Sequence, residues 1–143
     1  MSCLACDRIA RIAAGKDRDF VLTLPETHVV LADEQVYRGY CILYLREHHE
    51  HLDALPLDRQ GRLWDDVARV AAVLRRELQP LRVNYACLGN FVTHVHWHVI
   101  PRYAHDPEPQ HPIWVRPLAE RRRVLPGPEQ DALLACLRTA LAR

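Results

Sequence analysis

Between residues 58 and 78 the apolar positions recur at intervals of three and four. Leu63, Val67, Val70 and Leu74 form a stripe, and Trp64, Ala71 and Leu78 widen it. Arginines and acids fill the other side, so the spacing predicts a long amphipathic helix. Asp58, after Pro56-Leu57, is placed to cap its start, and Pro80 lies just past its end. The same spacing returns at Leu133, Leu134, Leu137 and Leu141, after Pro126-Gly127-Pro128, and predicts a C-terminal helix over 128–142. A shorter helix is expected over 6–14, with Ile9, Ile12 and Ala13 on one side and Gly15 as its stop. Strand-like runs rich in Val, Leu and Ile occupy 28–32, 39–45, 82–88 and 95–101. The second is apolar almost throughout, which predicts a central strand; Gly89-Asn90 marks a turn. Residues 104–117 form a proline-rich, irregular arm, with four prolines from Pro107 to Pro117. Strands and helices do not alternate regularly, so the expected class is α+β with an antiparallel sheet.

The bulk numbers narrow the function classes. A chain of 143 residues, 49% apolar, fits one domain over 1–143 with a real core. Its net charge of +1 argues against a nucleic-acid binder that tracks phosphates with a basic excess. Five cysteines, with one close pair, make a poor disulfide framework. No leader-like start and no membrane-length apolar run is present, so the expectation is a soluble cytoplasmic protein with no membrane partner.

The candidate chemistry lies in His94-Val95-His96-Trp97-His98-Val99-Ile100. On a strand, alternate residues share a face. His94, His96 and His98 then point one way, and Val95, Trp97 and Val99 the other. Three readings are open: a strand that merely exposes polar side chains, a metal site using all three histidines, or catalysis. Catalysis fits imidazole well, since near neutral pH the unprotonated ring is nucleophilic and the protonated one donates. Elsewhere, Cys3-x-x-Cys6 has the spacing of a metal half-site, and His48, His49 and His51 cluster after the central strand.

The pattern His-φ-His-φ-His-φ-φ, with φ apolar, resembles the signature of the histidine-triad (HIT) family, and Pro101-Arg102 extends the likeness. Cys3-Leu4-Ala5-Cys6, the strand after Gly39, the step Arg46-Glu47-His48 and the long helix match as well. The segment 84–90, Asn-Tyr-Ala-Cys-Leu-Gly-Asn, is similar to bacterial members that hydrolyse dinucleoside polyphosphates. The resemblance implies a five-stranded antiparallel sheet with helices and a homodimer. It implies a purine nucleotide substrate, cleaved at its α-phosphate through a nucleotidyl-histidine. His96 is then the nucleophile, the His94 carbonyl fixes its tautomer, and His98 contacts the scissile phosphate. Zinc-containing relatives imply a structural zinc on Cys3, Cys6, His48 and His94, with His49 and His51 facing solvent.

Two departures stand out. Tyr40 follows Gly39 where many members carry a fourth histidine, and Gly89-Asn90-Phe91 replaces a step ending in a hydroxyl residue. They favour, as an alternative to an enzyme, a nucleotide-binding regulatory protein with little turnover; a purely structural zinc module is a third reading. Asn84 and Asn90 are candidates for ribose or phosphate contact, or plain turn residues. Trp114 is expected near the site, at a dimer seam or as a loop anchor. Arg121-Arg122-Arg123 is either a phosphate binder or a solvated run. Cys41, Cys87 and Cys136 read as core thiols.

Overall fold

The computed structural model describes residues 3–143. The elements run α1 (Leu4–Ala13), β1 (Phe20–Thr23), β2 (Thr27–Leu31), β3 (Cys41–Leu45), α2 (Leu57–Leu78), β4 (Arg82–Ala86), β5 (His96–Arg102), α3 (Leu118–Arg121) and α4 (Gly127–Leu141). Single 3-10 turns lie at Leu52–Ala54 and Ile113–Val115. All five strands form one antiparallel sheet in the order β1-β2-β3-β5-β4, so the α+β expectation holds. Among the described residues no helix is long and apolar enough to cross a membrane.

One face of the sheet is the core. Cys41, Leu43, Val99 and Val29 meet Val67, Val70 and Leu74 of α2 and Leu133 and Leu137 of α4. β3 is central, as its apolar run predicts, and its alternation sends Ile42 and Tyr44 to the other face. A buried carboxylate ties α2 to the sheet. Asp66 accepts the Glu26 backbone N–H and the Thr27 hydroxyl, both at 2.9 Å.

The differences from the sequence reading have local causes. β1 was not expected; it has four residues, and a register break between Phe20 and Leu22 disturbs its alternation. Gly39 is not a strand residue. It turns the chain into β3 at φ +86°, a conformation that side chains resist. Pro56 rather than Asp58 holds the cap position of α2, and no side chain caps it. Asp58 sits in the first turn and pairs with Arg62 at 2.7 Å. β4 stops at Ala86, two residues short of the expected end. The arm is ordered around one buried side chain. Arg102 donates to Asp106 at 2.8 Å, to the His111 carbonyl at 2.8 Å and to the Glu108 carbonyl at 3.2 Å.

Gly39 offers a sharp test of this packing. A methyl group there would run into Leu78 and come within 3.2 Å of buried Leu74, besides straining the backbone. Gly39→Ala is expected to cost about 2–3 kcal/mol in urea unfolding. Gly61 lies inside α2 with open space around it, so Gly61→Ala should be neutral or stabilising by up to about 1 kcal/mol. Equal effects at the two positions would refute this account of the turn.

Candidate active site and metal centre

β5 pairs with β3 so that Tyr44 stands opposite His96 and Ile42 opposite His98. Both histidines therefore lie on the sheet face away from α2. Their ring centroids are 4.8 Å apart, and the Tyr44 ring lies 5.7 Å from that of His96. His94 falls two residues before the paired strand, and its ring is engaged elsewhere.

His96 Nδ1 lies 2.7 Å from the His94 carbonyl oxygen. A carbonyl only accepts, so Nδ1 carries the hydrogen, and in the neutral ring Nε2 presents its lone pair. The ring is largely buried, at 8% exposure. It lines a cleft of about 220 Å³ with Cys87, Gly89, Thr93 and residues 50–53. The Thr93 hydroxyl donates to Glu50 Oε1 at 2.9 Å. Sequence reading overlooked Thr93, since the hydroxyl was sought at Phe91; Phe91 itself projects fully into solvent, 97% exposed.

His98 is enclosed by aromatic rings. Its Nδ1 is 2.6 Å from the Tyr40 hydroxyl, and the Trp114 ring stands edge-on to it at 5.2 Å. Burial, reinforced by the neighbouring His96, pushes its pKa down to about 4. Burial likewise raises the Tyr40 hydroxyl well above the ordinary phenol value. Trp114 thus packs beside the site, and its other side borders an open groove of about 960 Å³ along β4, lined also by Asn84, Tyr85, Ile100 and Arg102.

Arg8 was not singled out from sequence. It pairs with Asp17 at 2.9 Å and Asp19 at 3.0 Å, and its charge reaches the Tyr44 hydroxyl beside His96. No sequence signal marks it, because α1 and β3 meet only in the fold. Asn84 Oδ1 accepts from Arg102 Nη1 at 2.8 Å and lies in the groove. Asn90 is exposed in the loop before His94. The arginine run faces acids rather than the histidines: Arg121 pairs with Glu34, Arg122 with Asp33 at 3.2 Å and Arg123 with Glu129 at 3.3 Å. Cys41 is buried, whereas Cys87 and Cys136 are partly exposed.

The second constellation assembles from three distant segments. Cys3 and Cys6 of the α1 start meet His48 of the loop after β3 and His94, with every pair of ligand atoms within 4.8 Å. Cys6 Sγ is 3.4 Å from His48 Nδ1 and 3.6 Å from His94 Nδ1, and Cys3 Sγ is 3.8 Å from His94 Nδ1. A tetrahedral ion with ordinary Zn–S and Zn–N bonds sets sulfur–nitrogen separations of about 3.5 Å. His94 Nε2 donates to the Leu45 carbonyl at 2.8 Å, which leaves Nδ1 free of hydrogen on the cysteine side. The donor set therefore fits zinc in both distance and tautomer. His51 is exposed, but His49 is partly buried, and its backbone carbonyl accepts the Val95 N–H at 2.8 Å.

A sheet with two alternating histidines on its open face, backed by a carbonyl-held tautomer, defines the class of this protein. A model of the HIT domain matches residues 14–105, and the chain belongs to the histidine-triad family. Solved structures agree on the fold. A histidine triad protein from Marinobacter aquaeolei VT8 superposes with a TM-score of 0.78 at 24% identity, over 93% of each chain. One from Sinorhizobium meliloti 1021 gives 0.73 at 25% identity, over 86% of this chain and 90% of that one. A zinc-bound family protein from Mycobacterium smegmatis gives 0.70 at 23% identity, over 99% and 94%. Among curated proteins no sequence relative matches.

Proposed function

We propose that the chain is a nucleotide hydrolase or transferase that cleaves at the α-phosphate of a purine nucleotide, a dinucleoside polyphosphate or a nucleoside phosphoramidate, through a nucleotidyl-His96 intermediate. One observation carries this reading: the 2.7 Å bond from His96 Nδ1 to the His94 carbonyl, which leaves Nε2 as the ring nitrogen available for attack on a residue that lines a cleft. Nε2 attacks the α-phosphorus in line, the bond to the leaving group breaks, and water then cleaves the phosphorus–nitrogen bond. His98 adds a hydrogen-bond donor beside the developing negative charge. Asn84 and Asn90 are the proposed nucleotide contacts. A hydrolysis screen of purified protein over diadenosine polyphosphates, adenosine phosphoramidate and nucleotide sugars tests the reading. Nucleotide binding without turnover on any of them would replace it with the regulatory one.

Zinc is proposed on Cys3, Cys6, His48 and His94, supported by the spacing of the donors. Four protein ligands leave no open position, so the ion would hold α1 and the two loops together and take no part in the chemistry.

A homodimer in the cytoplasm completes the proposal. β4 is an edge strand, and Tyr85 on it packs 6.0 Å from Trp64 of α2 while 45% exposed; Leu81 and Leu88 flank it, also exposed. An open strand edge beside exposed apolar side chains invites a second copy. Sedimentation equilibrium should show a dimer at micromolar concentration, and Tyr85→Glu should shift it to monomer. A wild-type monomer would overturn this.

A further inference from the structure

Tyr40 stands where many family members carry a fourth histidine, and its geometry gives it a task. Its side chain is buried, at 1% exposure. Among the described residues its hydroxyl has a single hydrogen-bond partner, His98 Nδ1 at 2.6 Å. The hydroxyl keeps its proton, since burial opposes the phenolate. A buried O–H with one acceptor in reach donates to it, because a stranded donor costs about 1–3 kcal/mol. Nδ1 of His98 must then be bare, and the ring hydrogen sits on Nε2.

The surroundings reinforce that state. Protonating His98 would place a second hydrogen between Nδ1 and the phenol and strand the phenol's own. Among the described residues, the groups around His98 supply no anion in compensation. Ile42 on β3 and Ala86 on β4 lie opposite it and Trp114 covers another side, all uncharged, and His96 is a further neighbour, whose charge would repel. Glu34 and Arg121 act on the Tyr40 hydroxyl in opposite senses.

We infer that Tyr40 is a positioning residue that holds His98 as the neutral Nε2–H tautomer, and that the site therefore favours nucleotides whose leaving group departs as a phosphate anion over those that release an amine. The second half rests on the hydrolase reading above. In the first displacement a bond forms between His96 Nε2 and the α-phosphorus, and the bridging phosphorus–oxygen bond breaks. Its electron pair leaves on a polyphosphate oxygen, which is weakly basic and needs no proton. An amine would leave as a strongly basic anion unless protonated on nitrogen. A neutral imidazole is a poor acid for that step, and the loss of general-acid assistance costs about 100-fold or more. In the second displacement water attacks phosphorus, the phosphorus–nitrogen bond breaks and His96 is restored, with the proton passing to solvent.

The test combines imidazole nitrogen-15 spectra with kinetics. In the wild-type protein, His98 should show a bare Nδ1 and a protonated Nε2 throughout pH 5–8. In Tyr40→Phe the tautomers should mix, and the titration should rise by about one unit or more toward the free-histidine value. Diadenosine tetraphosphate should be turned over about 100-fold faster than adenosine phosphoramidate, judged by kcat/KM. Tyr40→His should narrow that ratio. A wild-type His98 that is protonated on Nδ1 at pH 6 overturns the positioning role, whether or not Tyr40→Phe folds. A phosphoramidate preference with the Nε2–H tautomer present overturns the leaving-group inference. No turnover on any nucleotide, with that tautomer seen, overturns the hydrolase reading and leaves the role of Tyr40 standing.

Discussion

Replacing His96 by alanine is expected to remove turnover by at least about 1,000-fold while leaving nucleotide affinity largely intact. The ring acts on the way to the transition state; in the ground state its Nε2 is one contact among many. Structure should survive the change. His96 is largely buried and, among the described residues, its ring bonds to the His94 carbonyl two residues away, so the expected cost is about 1–3 kcal/mol, readable by thermal melting. His98→Ala should slow turnover less, by about 10- to 100-fold, since it removes a donor and not the nucleophile. The direct measurement is single-turnover trapping of a nucleotide covalently bound to His96. Two in-line displacements also require net retention with a chiral phosphorothioate substrate. Near-normal turnover by His96→Ala, or inversion at phosphorus, would exclude the mechanism.

Removing the metal should have the other large effect. Protein purified without a histidine tag after zinc-replete expression is expected to carry about one zinc per chain. The four proposed ligands join the α1 start to the loop after β3 and the segment leading into β5. Val95 and His49 share one backbone bond at 2.8 Å, and Leu45 donates to the Val95 carbonyl at 3.1 Å. Chelation, or Cys6→Ser, should therefore lower Tm by roughly 10 °C, the shift that a loss of about 3–4 kcal/mol produces in a chain of this size. His94 sits behind the His96 tautomer, so slow loss of activity should follow the loss of zinc and not precede it. A zinc content near zero, or a Tm unmoved by chelator and by Cys6→Ser alike, would dismiss the site.

The two constellations differ in how much of them could be seen beforehand. The His96–His98 face was legible because strand alternation is a local rule, and β5 obeys it without a bulge. The proposed metal set was legible only in halves. Cys3 and Cys6 advertise themselves by spacing, but nothing within the sequence links them to His94, 91 residues from Cys3; that pairing came from family resemblance and was met in the fold. Tyr40 was visible as a departure, yet its contact with His98 depends on the register of β3 against β5. Arg8 and Thr93 gave no signal, since each gains meaning only from a neighbour on another element.

The chain by itself determined the elements whose pattern is long or strict. α2 announces itself by its Leu63-Val67-Val70-Leu74 stripe, α4 by its leucines, and the histidine face by its period of two. Such patterns survive because burial of one face rewards each repeat in the same way. Tertiary structure decided the short or exceptional pieces: the four-residue β1, the positive-φ turn at Gly39, and the arm drawn around Arg102. It also decided the chemistry of His98, whose proton is placed by a phenol that lies 58 residues away in sequence and 2.6 Å away in space. Periodicity records which face a residue takes; partners across a sheet are set by register and loop closure, which no local pattern encodes.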